Sequence, residues 1–575
     1  MDCKSRILSN EYADMIVDFD LSGELLNASA GDFCYIQIED NLRIFYVDRR
    51  TLPPLSVSDY RYLYLPSCYG LMVDGGVPIS DGEFDTKALE VTGILSVQRP
   101  PLSLTGLGCI LACIDTGIDY TNPVFRKADG SSRILAIWDQ EEQEGSAPEG
   151  FEYGSEYSRE QINEALRSEK PFNVVPTRDI QGRHGTALAS IAAGSSLEEG
   201  YTFLGAAPDA DIVVVKLKQA KEYLRNYYMI PEGVPCYQEN DILIALKYVM
   251  KYAQATTRPV CILLGVGTGL GDHAGNSILE QYINRLNAIR NVAVVLPAGN
   301  EGNTGHHYSV IFQENEENAV KEAEIRVGEG TKGFIAEIWG SIPAFFSISL
   351  VSPGGETIED ISFRLNTTRI YDFIYSQTTV TVDTLVVEQV SGQQLVVLRF
   401  ENPTAGIWTI RIRAVKIPTS AVCDIWLPIR QFVEGEVSFL EPSPYTTLTP
   451  PATGQSAMCV SAYDPITGGF WQESGRGYAR DNIIKPDFSA PGENVPSIIG
   501  DISGTSAAAA LSAGAVLQFM QWAVVEKRSP LVNGTEIKNY LIRGAVRDAV
   551  RNWPNREEGF GKLNIYGTFD ALRTI

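Results

Sequence analysis

A chain of 575 residues is too long for one apolar core, and at roughly 150 residues per domain it divides into about three or four units. Its apolar share of 44% and charged share of 21% are ordinary for a soluble globular protein. A formal charge of −24, with no basic stretch to neutralise phosphates, argues against nucleic acid as a partner.

The opening residues, MDCKSRILSNEYADMIVDFDLSG, contain no apolar run of the secretory kind and carry acidic residues early, so the protein is expected to be made in the cytoplasm without a signal peptide. From 1 to about 65, short alternating runs such as CYIQIED and RIFYVDRR stand between polar breaks and predict a small α+β unit. Ser67–Asp85, with its Gly-Gly pair and several acidic residues, reads as a turn-rich linker.

From about 107 the pattern becomes α/β. GCILACID, DIVVVKL, PVCILLG and VAVVLPAG are short apolar runs, separated by helix-like stretches TALASIAAG, NDILIALKYVMKYA and SILEQYINRLNAI. That alternation predicts a parallel sheet with helices on both faces. From 308 to 440 the style is β alternation with almost no helix, as in WTIRIRAV, and predicts an inserted antiparallel β-sandwich. The α/β style then resumes from 441 to 575. The uncharged stretch Ala507–Val525 has the length of a membrane span, but its alanines, Ser512, Gln518 and Gln521 favour a buried central helix, and no membrane partner is expected.

Nine cysteines (Cys3, Cys34, Cys68, Cys109, Cys113, Cys236, Cys261, Cys423 and Cys459) form an odd set without CxxC spacing. Neither a disulfide framework nor a zinc site is suggested, and buried reduced thiols are the expectation. No metal or cofactor is called for.

Four segments carry chemistry. Asp115 in IDTGID ends an apolar strand, where open α/β sheets place their sites. His184 in GRHGT opens a helix beside glycine, and Ser506 in SGTSAA stands at the start of an Ala-rich helix whose N–H groups and dipole face it. Asn300 in PAGNEG follows the VAVVL strand, where its amide can donate to a developing oxyanion. Each segment alone also fits a turn or a helix cap; together they supply a nucleophile, a base, an orienting carboxylate and an oxyanion donor.

DTGID, HGT, AGNEG and SGTS resemble the Asp, His, oxyanion Asn and Ser motifs of the subtilisin-like (subtilase) serine endopeptidases, over about 98–307 and 441–570. The resemblance implies an Asp115–His184–Ser506 triad, Asn300 as oxyanion donor, and Leu264, Gly265, Val266 and Gly267 as the cleft edge that pairs with a peptide substrate. A narrower resemblance is to the clostridial Csp germination proteases, carried by LTGLGCILACIDTGIDYTNPVF, NSILEQYINRL and WPNREEGFGKLNIYGTF. It implies a prodomain with its connector over 1–97, self-cleaved between Leu65 and Arg99 and able to stay bound in cis, and a jelly-roll insertion over 308–440. It also implies a spore-associated protease whose substrate is a cortex-lytic zymogen. The chain departs from the family where Ala507–Ala510 replace Met-Ala-Ala-Pro, Ala187 follows HGT, Ser190 stands for Gly, Leu263 for Asn and Gly265 for Ser. Two other readings stand beside this one: an inactive signalling scaffold on the same fold, and a general protein-degrading subtilase.

Overall fold

The computed structural model describes residues 2–18, 34–72, 74–77, 85–180, 182–195, 203–363 and 365–573. The N-terminal unit consists of α1 (Cys3–Leu8) and the strands β1 (Tyr12–Asp18), β2 (Tyr35–Glu39) and β3 (Leu42–Asp48), in the antiparallel order β1-β3-β2. One apolar cluster runs from its Ile16, Ile36 and Ile44 to Leu246, Val249 and Tyr282 of the α/β unit.

Cys3 and Cys34 form a disulfide, with Cα atoms 5.3 Å apart, which corrects the expectation that every thiol is reduced. Their separation of 31 residues matches no spacing motif. The other seven cysteines are free and buried.

The stretch expected to be a linker instead contributes two strands, β4 (Cys68–Leu71) and β5 (Asp74–Val77). Both pair with segments far along the chain, so the local sequence holds no trace of the pairing. The parts of that reading at 73 and 78–84 lie outside the described residues.

The α/β unit is built on β6 (Ile110–Asp115), β7 (Ile134–Asp139), β8 (Ser155–Ser158), α2 (His184–Ala193), β9 (Asp211–Lys216), β10 (Tyr237–Gln238), α3 (Glu239–Thr256), β11 (Val260–Leu264), β12 (Val266–Gly267), α4 (Ile278–Asn287) and β13 (Val292–Pro297). Eleven strands, β14–β24, follow between His307–Phe312 and Val437–Phe439; among the described residues they form a six-stranded and a five-stranded antiparallel sheet around one core. The chain then returns through β25 (Met458–Tyr463), β26 (Phe488–Pro491), β27 (Val495–Ser497), β28 (Gly500–Ser503) and α5 (Thr505–Met520).

The central sheet has the order β26-β25-β13-β11-β6-β9-β7-β8. Every neighbour pair is parallel except β7 with β8, so the sheet is mixed. Its strands are apolar without a break because both faces are covered. Leu111, Cys113, Cys261, Leu263, Ala293 and Val295 face the cluster containing α2 and α5. The alternate residues Ile110, Ala112, Ile262, Val294 and Leu296 face the cluster containing α3 and α4. The apolar helix Thr505–Val525 is long enough to cross a membrane, yet 83% of its most apolar 18 residues are buried inside the protein, as expected for a central helix.

Candidate active site

Asp115 ends β6, His184 opens α2 and Ser506 is the second residue of α5, so three elements that converge on the sheet's C-terminal edge deliver the three side chains. His184 Nδ1 lies 2.7 Å from Asp115 Oδ1, and His184 Nε2 lies 3.0 Å from Ser506 Oγ. Asp115 and Ser506 are fully buried and His184 almost so. Asp115 Oδ1 also accepts the Thr116 N–H at 2.8 Å, which fixes the carboxylate. Its Oδ2 has no hydrogen-bond partner. A Cβ on Gly265, where the family often carries Ser, would stand 2.4 Å from that Oδ2 and 2.9 Å from His184 Cε1, so in this chain a side chain there would have to shift the carboxylate or the imidazole.

Asn300 is anchored rather than free. Its Oδ1 accepts from Thr505 N at 3.1 Å and from Thr505 Oγ1 at 2.9 Å. With the oxygen so engaged, the amide Nδ2 remains the group that can donate. Thr505 also accepts the Gly299 N–H at 3.1 Å, which ties the Asn300 turn to the helix start. Ser506 sits in the first turn of α5, where backbone N–H groups lack an intrahelical acceptor. Its own N–H points at the carbonyl oxygen of Met72, 3.4 Å away.

Within 65–99 the sequence marks Tyr69–Met72 as a stretch that would suit an apolar cleft, but it does not choose the bond; Met72 is the residue the fold brings to the serine. It follows β4, which lies between β10 and β12 as the middle strand of a three-stranded sheet. Leu71 pairs with Val266 and Gly70 with Gly267, while Tyr69 pairs with Tyr237 on the other side. Met72 N donates to Gly265 O at 3.3 Å. The Met72 carbonyl oxygen then lies 2.7 Å from Ser506 Oγ. Beyond residue 73, β5 pairs antiparallel with β28. An extended stretch of the protein's own chain thus threads the cleft with one carbonyl at the serine.

Of the expected cleft-edge residues, Gly265, Val266 and Gly267 touch this stretch. Leu264 makes no backbone pair with it: Leu264 pairs with Ile114 inside the central sheet, and its side chain joins the buried cluster that also holds Tyr69 and Leu71, because β11 ends at Leu264 and the edge begins at Gly265. The second edge, Tyr237–Gln238, carries no motif and was not expected. Thr449 was also missed. Its Oγ1 lies 3.8 Å from Met72 Sδ, and a Cβ on Gly267 would stand 2.6 Å from that Oγ1 and 3.3 Å from Met72 Cε, so Thr449 and Gly267 bound the Met72 side chain.

Three of the four histidines serve elsewhere. His273 and His307 stack on Trp426 at 4.3 and 4.7 Å, and His306 Nδ1 meets Glu301 Oε2 at 2.9 Å. Carboxyls near the bound stretch are displaced in charge behaviour. Burial pushes Glu239, which accepts the Ser67 N–H at 3.1 Å, up to about 7. Burial likewise raises Glu280, aided by the charge of Asp272, and Glu337, which accepts from Tyr62 Oη, each to about 7.

The subtilase family profile matches residues 106–320 and 439–561, and most of the interval between them is the two-sheet unit. The CspB protease of Clostridium perfringens is similar at 28% identity with a TM-score of 0.75, covering 85% of this chain and all of that one. The MycP1 protease of the type VII secretion system (13% identity, TM-score 0.40, 87% of this chain and 92% of that one) and the prenylagaramide maturation protease PagA (14%, 0.38, 84% and 98%) also match. No curated protein matches the chain.

Proposed function

Taking as premise that this chain belongs to the subtilase family of serine endopeptidases, we propose that it acts through Asp115, His184 and Ser506 and that its first substrate is its own bond between Met72 and Val73. The observation that carries this reading is the Met72 carbonyl oxygen 2.7 Å from Ser506 Oγ, with His184 Nε2 3.0 Å from the same oxygen. The serine hydroxyl has one proton, so it serves the carbonyl or the imidazole, never both.

In the attack, Ser506 Oγ bonds to the Met72 carbonyl carbon as its proton passes to His184 Nε2. Asp115 holds the imidazole by its Nδ1–H and stabilises the charge that forms. The carbonyl oxygen becomes an oxyanion, held by the Ser506 N–H and Asn300 Nδ2. Collapse breaks the C–N bond, and His184 returns the proton to the Val73 amine. Water, activated by the same imidazole, then frees the Met72 carboxyl from Ser506. Because the bond is already in the cleft, the cut is intramolecular and its rate does not depend on enzyme concentration.

On this reading residues 1–72 are a prodomain that stays bound in cis, and the two-sheet unit is the jelly-roll insertion. The narrower role, activation of a spore cortex-lytic zymogen by a protease of cytoplasmic origin, rests on the Csp resemblance. The test treats purified protein with a fluorophosphonate probe and takes intact masses beside Ser506→Ala. Wild type should give two co-purifying fragments split after Met72 and one label, and Ser506→Ala neither. Equal labelling of both proteins, or of neither, would remove the active-enzyme reading.

A further inference from the structure

We propose that the two-sheet unit sets substrate specificity: Ile429 and Gln431 make the enzyme selective for glycine at the third residue before the scissile bond. This rests on the reading of residues 68–72 as bound substrate, in which Gly70 holds that position. A Cβ built on Gly70 would stand 2.5 Å from Ile429 Cδ1 and 2.7 and 2.9 Å from Nε2 and Cδ of Gln431. The glycine is not needed for its backbone, since Gly70 has no positive φ. Space alone demands it.

The two side chains are not free to step aside. Ile429 is fully buried, in one apolar cluster with Leu65, Met72, Trp339 and Phe432. Gln431 Nε2 donates to the Leu71 carbonyl at 2.5 Å, so the amide that blocks a side chain at Gly70 also holds the next residue. The loop that carries both is fastened to the α/β unit: Arg430 N donates to Glu301 Oε1 at 3.1 Å, and Glu301 Oε2 is in turn held by Thr304 Oγ1 at 2.9 Å. Glu301 is the acid of the AGNEG segment, one residue from the candidate oxyanion donor. The segment therefore serves the cleft twice, through Asn300 as the candidate oxyanion donor and through Glu301, which holds the loop that carries Ile429 and Gln431. Ile429 and Gln431 are positioning residues that act on the peptide three and two residues from the reacting bond.

The substrate class that follows is an extended polypeptide with glycine at that position and apolar residues at the two that follow, since Leu71 and Met72 are both buried in the cleft. A peptide carrying any side chain in place of Gly70 must displace a packed isoleucine and a hydrogen-bonded glutamine, and well-packed sites resist such additions.

The test compares four full-length chains made by cell-free translation and followed by gel over time: wild type, Gly70→Ala, Ile429→Ala/Gln431→Ala, and the triple variant. Gly70→Ala should cut itself about tenfold more slowly or worse. The triple variant should recover to within about threefold of the Ile429→Ala/Gln431→Ala chain, which itself is slowed several-fold by loss of the Leu71 contact. A Gly70→Ala chain that cuts at the wild-type rate overturns the proposal, and so does a triple variant as slow relative to its parent as Gly70→Ala is to wild type. If wild type does not cut itself, the self-processing reading fails separately. The same substitutions in a Ser506→Ala chain then decide by thermal melting: Gly70→Ala should lower Tm, and should lower it less when Ile429 and Gln431 are alanine. Equal lowering in both backgrounds, or none, overturns the proposal.

Discussion

At β1 the N-terminal unit meets the α/β unit through buried charge. The Asp14 carboxylate, fully buried, takes Lys221 Nζ at 2.5 Å, Gln238 Nε2 at 2.7 Å and Asn240 Nδ2 at 3.2 Å, while Asp14 N donates to Tyr223 Oη at 2.8 Å. At β4 the same N-terminal stretch meets the same unit through backbone pairing and side chains set into apolar surroundings, with no ion pair among Cys68–Met72. The contrast separates two tasks. Charge inside a low-dielectric contact demands one partner geometry and penalises every other, which suits a unit that must dock in one way. Backbone pairing accepts any extended chain, so the cleft leaves recognition to the few pockets that bound side chains. The body of the unit is held by what it is; on the proposed reading, the tail is held as a substrate would be.

Substitution at Asp14 should break the first contact and spare the second. Asp14→Ala leaves the Lys221 ammonium buried without its carboxylate, and burial already lowers that lysine below its ordinary value despite the attraction of Asp14. Removing one partner of such a pair costs about 3–5 kcal/mol. After cutting, the Asp14→Ala fragment should separate from the rest of the chain on size exclusion, where wild type co-elutes. Co-elution of both would mean that apolar packing alone holds the unit.

The converse substitution acts on the tail's chemistry and not on docking. Asn300→Ala should slow the self-cut about 100- to 1,000-fold, read by the same time course, while the loss of its two hydrogen bonds from Thr505 lowers the Tm modestly. A Tm drop with an unaltered rate would make Asn300 a structural residue that supports Thr505.

A smaller effect comes from acidity. Glu239, Glu280 and Glu337 have folded-state values raised to about 7, above the ordinary 4.5, so the folded protein holds protons that the unfolded chain has released. Their contribution is complete below about pH 4.5 and is lost as pH rises through about 7. Melting should therefore shift down between pH 5 and 7.5, by at least about 1 kcal/mol of stability for each carboxyl. Glu337→Gln should flatten part of that slope; a flat profile in wild type would mean that water reaches these groups.

Much of the α/β architecture was legible because parallel strands covered on both faces must be apolar throughout, and GCILACID and VAVVLPAG announce that in eight residues each. The alternation in Gly406–Lys416 was equally plain, since its buried and exposed residues take turns along the strand. The candidate site was legible for a similar reason: Asp115, His184, Asn300 and Ser506 each sit in a short segment whose glycines and small residues make the local turn or helix start. What each segment is close to was not. Thr505, which holds Asn300, was visible only as part of a motif, and Thr449 lies in a run of threonines and prolines with no pattern of its own.

The sequence by itself determined which residue types the candidate site offers, because a serine, a histidine and two side chains that can orient or donate are read directly, and the strand and helix ends that carry them are made by nearest neighbours. Only the tertiary structure decided what those residues face. Met72 meets Ser506 across 434 residues, Gln431 meets Leu71 across 360, and Cys3 finds Cys34 through the fold of the N-terminal unit. Contacts at such range leave no periodicity or spacing in the chain, since closing a long loop constrains where its ends meet and not which residues lie between them.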